Sequence, residues 1–321
     1  MIENMEKKYS VGALLYSPAL NKKVADAVIC EKYSQPYSLA MCLEDTIADE
    51  SVKIAEQQLG VTLRRILSEY KSKQFYLPKI FIRVRNYEQL LRLYKALFEY
   101  AEIITGFIFP KYTLSNADNY NKAVIDINTK SEKTVYMMPI LESRDIVEYT
   151  TRHTVLKELK EKIDSVNKFV LNIRVGGNDF SNEFAARRHY DETIYDILPI
   201  SQLLGDILTV FSREYVVSGP VWEFFSSDNE EWKIGLKNEL KLDRLNGFIG
   251  KTVIHPKQIS VVNEALKVSQ KDYEDAKEIL NWDERGLQVG KSFAGERMNE
   301  VKTHINWAYK TMMLAQIYGV I

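Results

Sequence analysis

Thr134-Val-Tyr-Met-Met-Pro-Ile-Leu-Glu142 and Lys168-Phe-Val-Leu-Asn-Ile-Arg-Val-Gly-Gly-Asn-Asp179 are the two stretches of this sequence that best indicate its fold. Each is largely apolar and then ends on a carboxylate, which is typical of a buried strand in a parallel sheet. The carboxyl ends of parallel strands meet at one rim, so Glu142 and Asp179 are expected on the same rim. Two carboxylates, with water or substrate in the remaining positions, suit Mg²⁺. We therefore predict Glu142 and Asp179 as metal ligands.

Short apolar runs alternate with stretches of helical spacing along the chain. Eight such runs separated by helices over about 250 residues are the pattern of a (β/α)₈ TIM barrel, an α/β fold with its active face at the strand carboxyl ends. The runs are Val11 to Ser17, Ser38 to Glu44, Lys79 to Arg85, Gly106 to Pro110, Thr134 to Glu142, Lys168 to Gly176, Tyr215 to Trp222 and Gly247 to Pro256.

The chain beyond the eighth run exceeds what a barrel needs. It reads as a helical segment from Lys257 to Leu280, a loop from Asn281 to Gly295 and a last amphipathic helix from Glu300 to Ile317. We predict an N-terminal tail over 1–10, a barrel domain over 11–270 and a C-terminal helical extension over 271–321.

Composition narrows the partners and the compartment. The 43 basic and 44 acidic residues give a formal net charge of −1, so no global field attracts nucleic acid or an anionic membrane. The two cysteines lack a metal-ligand or CxxC spacing. The N-terminus is charged, and no apolar run approaches the roughly 20 residues of a membrane helix. These features predict a cytoplasmic protein without nucleic-acid or membrane partners.

Each rim residue also has a structural interpretation. Glu142 precedes Ser143 at a helix start, where it fits a capping arrangement, and Asp179 follows two glycines in a turn. Arg83 ends the third strand, where a guanidinium is able to grip a carboxylate through two parallel hydrogen bonds. A structural ion pair with Glu44 or Asp45 is its alternative. Those two carboxylates end the second strand and are candidates to hold Arg83, to orient metal-bound water or to act as a base.

Taken in order, these segments resemble the citrate lyase beta subunit and 2-keto-acid aldolase superfamily, in particular its divergent carbon-carbon bond lyase branch with a TIM-barrel fold. The resemblance runs from about Val11 to Glu300. Its most distinctive part is Gly247-Phe-Ile-Gly-Lys-Thr-Val-Ile-His-Pro-Lys-Gln-Ile259. The other matching segments are Leu43-Glu-Asp45, Arg83-Val84, Phe109-Pro-Lys111, Leu141-Glu-Ser143 and Gly176-Gly-Asn-Asp-Phe180.

The resemblance implies roles for named residues. The counterparts of Glu142 and Asp179 bind Mg²⁺, and the counterpart of Arg83 binds the carboxylate of a keto acid such as oxaloacetate or pyruvate. The implied activity is a Mg²⁺-dependent carbon-carbon bond lyase or aldolase that works through a metal-bound enolate, with a coenzyme A thioester as a plausible acyl substrate. Glu300 occupies the place of an acid that reaches the active site in relatives, where it is an Asp. Glu44 and Asp45 complete the expected catalytic set.

This chain departs from relatives at several positions. Cys42 stands where they have an Asp, and Asn178 and Phe180 flank the second predicted ligand where they have Glu and Leu. The first strand lacks their usual Arg. Two alternatives to the lyase stay open: a malate-synthase-like or thioester hydrolase activity on the same site, and a non-catalytic metal-binding interaction module. An apolar stripe on the last helix predicts a homo-oligomer, unless that stripe packs on its own barrel.

Overall fold

The structure is a computed structural model that describes residues 2–227, 229–283 and 285–321. It divides the chain into two compact units. One consists of Val11–Val262, and the other combines residues 2–10 with Asn263–Ile321.

The first unit is the predicted barrel. Its eight strands are all parallel, and each pairs with the next along the chain from β1 to β7, while β8 pairs with β1. A parallel bridge between Gly219 and Lys251 joins the β7 side to β8, and the TIM-barrel expectation is confirmed. The strands are β1 (Ala13–Pro18), β2 (Ser38–Cys42), β3 (Lys79–Arg83), β4 (Ile104–Phe109), β5 (Tyr136–Leu141), β6 (Ile173–Val175), β7 (Val217–Ser218) and β8 (Lys251–Val253).

Helices follow the strands because apolar residues recur at helical spacing and face the sheet. In the helix after β2, for example, Leu59, Leu63 and Ile66 lie on one face and are fully buried. The α-helices are α1 (Ile2–Tyr9), α2 (Val24–Ile29), α3 (Val52–Ser72), α4 (Tyr87–Ala96), α5 (Ala117–Asn128), α6 (Arg144–Val147), α7 (Arg152–Asp164), α8 (Gly177–Glu183), α9 (Leu198–Phe211), α10 (Glu231–Asn246), α11 (Lys257–Leu266), α12 (Gln270–Leu280) and α13 (Val301–Tyr318).

The barrel interior is packed with apolar side chains and is not a pore. Leu14, Ala40, Phe81, Ile108 and Met138 come from successive strands and form one buried cluster. Inward-facing side chains of a (β/α)₈ barrel stack in such layers, which leaves the strand carboxyl ends as the place for a site.

The second unit differs in detail from its sequence-based description. The segment predicted as helical over Lys257 to Leu280 consists of α11 and α12. Between them Val268 bridges to Val320, and Ser269 caps α12 by accepting a hydrogen bond from the amide of Asp272. The predicted loop contains β9 (Val289–Lys291), which pairs antiparallel with β10 (Met298–Glu300). No helix of the described residues has the length and apolar character to cross a membrane.

Candidate active site

A cavity of about 250 Å³ opens at the carboxyl ends of the barrel strands. Because every strand is parallel, residues that end different strands converge here, as the sequence predicted. The wall includes Tyr16, Asp45, Arg83, Glu142, Arg174 and Asp179.

Glu142 and Asp179 aim carboxylate oxygens at the same small space. Glu142 follows β5 and is 5% exposed, while Asp179 lies in the first turn of α8. Gly176 permits their approach: an ideal Cβ on this residue would lie 2.3 Å from Oε2 of Glu142 and 3.1 Å from Oδ2 of Asp179. The other oxygen of Glu142, Oε1, accepts a hydrogen bond from the amide of Lys111 at 2.8 Å. One oxygen of Glu142 is thus held by the protein and the other faces Asp179.

The electrostatics of this pair favour the binding of a cation. Burial and, after it, the nearby charge of Asp179 together raise the pKa of Glu142 to about 8, against the opposing charge of Arg83. The charge of Asp179 thus disfavours ionisation of Glu142, and a divalent ion between the two carboxylates would reverse that effect. No group of three or more His, Cys, Asp and Glu side chains with metal-binding geometry occurs among the described residues. The pair therefore fits a hard cation such as Mg²⁺ that takes its other ligands from water or substrate.

Arg83 forms the ion pairs that were weighed as its structural alternative. Its Nη2 donates to Oε2 of Glu44 and, at 2.7 Å, to Oδ2 of Asp45. The Nζ of Lys111 donates to the other oxygen of each carboxylate, at 3.0 Å to Oε1 of Glu44 and at 3.3 Å to Oδ1 of Asp45. Arg83 still lines the cavity, and its Nε has no hydrogen-bond partner among the described residues.

Glu44 and Asp45 differ in pKa although they are adjacent. Burial raises the pKa of Glu44 against the charge of Arg83. Burial also acts to raise the pKa of Asp45, but its hydrogen bond with Glu44 and the charges of Arg83 and Lys111 outweigh this and lower it. Neighbouring carboxyls whose pKa values are pushed apart are suited to acid and base roles. Only Asp45 of the two lines the cavity.

Two further cations belong to the site and were absent from the predicted set. Lys111 follows β4 with a left-handed φ of 48°, which presents its amide to Glu142 and its ammonium to Glu44. Its place after the fourth strand, in the segment Phe109-Pro-Lys111, was the available signal. Arg174 lies in β6 with 1% exposure and lines the cavity. Its signal was the period-two spacing of Asn172 and Arg174 inside an otherwise apolar strand.

Glu300 is the remaining residue of the predicted catalytic set. Glu300 ends β10 in the second unit, where its Oε2 accepts a hydrogen bond from Thr303 at 3.3 Å, and its catalytic role stays a prediction. His255 follows β8, and its ring stacks on Phe225 with centroids 4.7 Å apart.

Solved structures with similar folds include proteins from Mycobacterium tuberculosis and Yersinia pestis. The protein CitE of Mycobacterium tuberculosis, in complex with magnesium, acetoacetate and coenzyme A, matches at 18% identity with a TM-score of 0.62, covering 96% of this chain and 99% of that one. The citrate lyase beta subunit of the same organism, complexed with oxaloacetate and magnesium, matches at 18% identity with a TM-score of 0.54. That match covers 81% of this chain and 99% of the beta subunit. RipC of Yersinia pestis matches at 15% identity with a TM-score of 0.54, and the match covers 80% of this chain and 95% of RipC.

No curated protein matches the chain. The family model for carbon-carbon bond lyases of the TIM-barrel fold matches residues 5–320, nearly the whole chain. The resemblance drawn from the ordered segments is therefore confirmed, and the protein is an enzyme by family. The chain belongs to the C-C bond lyases of the TIM-barrel fold.

Proposed function

We propose that this enzyme uses Mg²⁺ to break or form a carbon-carbon bond in a keto acid or a 2-hydroxyacyl thioester. The observation that carries the proposal is the convergence of Glu142 and Asp179 in a cavity that also holds cationic side chains. Structures of CitE from Mycobacterium tuberculosis contain magnesium with acetoacetate and coenzyme A or with pyruvate, which supports the same ligand classes here.

Glu142 and Asp179 would hold the metal through Oε2 and Oδ2, the oxygens that meet at Gly176. When bound, Mg²⁺ would stabilise negative charge that develops on a substrate oxygen as the carbon-carbon bond breaks. The hydrogen bond from the amide of Lys111 fixes the Glu142 carboxylate and keeps Oε1 occupied. Ligand geometry thus depends on the β4 end as well as on β5 and α8.

Asp45 is the group we assign to proton transfer. Arg83 and Lys111 keep this carboxylate ionised, and it lines the cavity, so it is placed to accept a proton from a substrate hydroxyl. In the cleavage direction the hydroxyl proton passes to Asp45, the carbon-carbon bond breaks and a new carbonyl forms. The electron pair moves to the acyl fragment, whose carbon then takes up the proton that Asp45 accepted. Glu44 shares its proton equilibrium with Asp45, and Arg83 positions both.

The partners follow from this assignment. The substrates are a small keto acid and an acyl thioester, with coenzyme A as the proposed carrier. We retain Glu300 as a second acid-base candidate, and we retain a homo-oligomeric assembly and a cytoplasmic location as proposals for separate measurement.

Calorimetry tests the binding part of this proposal. Wild-type protein is titrated with MgCl₂ and then, at saturating Mg²⁺, with pyruvate or oxaloacetate. We expect Mg²⁺ to bind the wild type, keto acids to bind only after Mg²⁺, and both signals to vanish in the double variant Glu142→Ala/Asp179→Ala. Glu161→Gln, on an exposed face of α7, is the matched control and should bind like wild type. Keto-acid binding that survives without Mg²⁺ would contradict the metal assignment.

Product analysis tests the reaction class. The enzyme is incubated with Mg²⁺, acetyl-CoA and pyruvate, oxaloacetate or glyoxylate, and the products are identified by mass spectrometry. A 2-hydroxyacyl thioester supports the lyase in its synthetic direction. Free coenzyme A together with a 2-hydroxy acid identifies the malate-synthase-like or hydrolase alternative instead.

A further inference from the structure

Arg174 is a buried cation without a counter-ion at the candidate site. Its side chain lines the cavity, the residue is 1% exposed, and no carboxylate of the described residues lies within 4.0 Å of its guanidinium. Its contacts are with neutral groups: Nη2 donates to Oγ1 of Thr252 at 2.6 Å, Nη1 donates to Oδ1 of Asn172 at 3.4 Å, and the guanidinium also hydrogen-bonds the side chain of Tyr16. Nε has no partner at all among those residues.

An isolated buried charge is costly unless an anion joins it. Every other cation near the cavity is already matched, since Arg83 and Lys111 face the two carboxylates Glu44 and Asp45. Glu142 and Asp179, with two negative charges, match one divalent metal ion. Arg174 therefore has no matching negative charge among the described residues around the cavity. One monovalent anionic group of a ligand would balance it.

From this geometry we infer that Arg174 binds the carboxylate of the substrate. The inference rests on the proposed function and adds a second arginine to Arg83 for the keto acid: the charge of Arg83 is matched by Glu44 and Asp45, and Arg174 supplies the unmatched charge. The Nε of Arg174 supplies a free donor, and its guanidinium reaches Thr252 on β8 from β6, so it spans the cavity wall. The first strand of this chain carries no cation, and Arg174 provides one to the same cavity from β6.

The test compares a charged ligand with its uncharged ester. Wild type, Arg174→Met, Arg174→Lys and the control Arg187→Met, an exposed arginine, are titrated with MgCl₂ and then, at saturating Mg²⁺, with pyruvate and methyl pyruvate. We expect Arg174→Met to bind Mg²⁺ like wild type and to lose pyruvate affinity by roughly 10- to 100-fold, the range for hydrogen bonds to a charged group. Methyl pyruvate affinity should stay within threefold, and Arg174→Lys should recover part of the pyruvate affinity.

The melting temperature distinguishes a ligand-binding Arg174 from an Arg174 that only stabilises the fold. If Arg174 is an unbalanced charge, Arg174→Met melts at or above the wild type without ligand and gains less from added pyruvate. Equal pyruvate affinity in wild type and Arg174→Met, or an equal loss for the acid and its ester, overturns the inference. If Arg174→Met does not fold, the same comparison is made with Arg174→Lys.

Failure of the proposed function gives a different result. If wild type binds neither pyruvate nor oxaloacetate, the keto-acid assignment falls, and acetate is then used as the anion. Acetate binding that requires Arg174 retains the anion site without the proposed substrate. Acetate binding that is absent, or that is indifferent to Arg174, rejects the site.

Discussion

Burial and the adjacent charge of Asp179 set the protonation state of Glu142. Its pKa of about 8 in the folded protein, set by burial and by Asp179, lies far above that of an exposed glutamate. A group whose pKa is raised by folding stabilises the protein fully below its unfolded pKa. That stability is lost as pH rises through the folded pKa. The metal-free protein should therefore lose stability between about pH 4.5 and pH 8.

Glu142→Gln removes this penalty because the amide stays neutral. We expect the variant in EDTA to melt above the wild type at pH 8, by an amount on the order of 5 °C, and to match it near pH 5. Added Mg²⁺ should raise the melting temperature of the wild type only. Differential scanning calorimetry across this pH range checks the prediction. A gap between the two proteins that does not change with pH would contradict it.

Lys111 joins two roles, one of its backbone and one of its side chain. Its left-handed φ of 48° is unfavourable for any residue with a Cβ, whereas glycine adopts it freely. Lys111→Gly and Lys111→Met both remove the ammonium that contacts Glu44 and Asp45, but only the glycine relieves the backbone. We expect Lys111→Gly to be more stable than Lys111→Met by about 1 kcal/mol in urea unfolding.

Mg²⁺ affinity separates the two roles of this residue. In both variants the amide of residue 111 still donates to Glu142, so calorimetry should give Mg²⁺ affinities within about threefold of the wild-type value. An Mg²⁺ affinity far below that of wild type in both Lys111→Gly and Lys111→Met would show that the ammonium, and not the amide alone, supports the metal ligand.

At the scale of elements, strand ends were predictable and polar residues inside strands were not. The run Thr134 to Glu142 correctly located β5 and its terminal carboxylate because burial on both faces produces a continuous apolar pattern. The run Tyr215 to Trp222 predicted a longer strand than the observed β7, which has only two residues and is followed by Gly219 and Pro220. The ion pairs of Arg83 and the unpaired state of Arg174 depend on side chains from other strands, and one strand's pattern does not encode them.

The turn between β6 and α8 is the element on which the metal ligands depend. A side chain at Gly176 would clash with Cβ and Oε2 of Glu142, both 2.3 Å from an added Cβ, and would press on Asp179 at 3.1 Å. Gly176→Ala should therefore separate the two carboxylates and reduce Mg²⁺ affinity at least about tenfold while the barrel still folds. Calorimetry measures the affinity and circular dichroism the fold.

Gly205→Ala is the matched control for this change. Nothing lies within 4 Å of an added Cβ at Gly205 in α9, and alanine favours a helix over glycine. Its Mg²⁺ affinity should equal that of wild type and its melting temperature should rise slightly. Equal Mg²⁺ affinities for Gly176→Ala and Gly205→Ala would argue against a metal at this turn.

At the scale of the barrel, closure between β7 and β8 combines backbone hydrogen bonds with buried charges. A parallel bridge joins Gly219 to Lys251, and the amides of Ile249, Gly219 and Thr252 donate to the carbonyls of Val217, Gly250 and Gly219 respectively. The ammonium of Lys251 is fully buried and bonds Glu239 at 2.9 Å and Asp243 at 2.7 Å, both on α10. Tyr195 adds a hydrogen bond to Asp243 at 2.6 Å. Buried ion pairs thus join β8 to α10.

Lys251→Met tests whether this buried cluster holds the barrel closed. The variant keeps side-chain length but leaves Glu239 and Asp243 without the ammonium, and breaking one partner of a buried ion pair costs about 3–5 kcal/mol. We expect a drop of that size in the free energy of unfolding, whereas Lys157→Met, in an exposed pair at 4.0 Å, should change it by less than about 1 kcal/mol. Urea denaturation at 25 °C measures both. Because Lys251 is not part of the cavity wall, Mg²⁺ affinity below the unfolding range should stay unchanged, and a selective loss of Mg²⁺ binding without loss of stability would instead tie the cluster to the site.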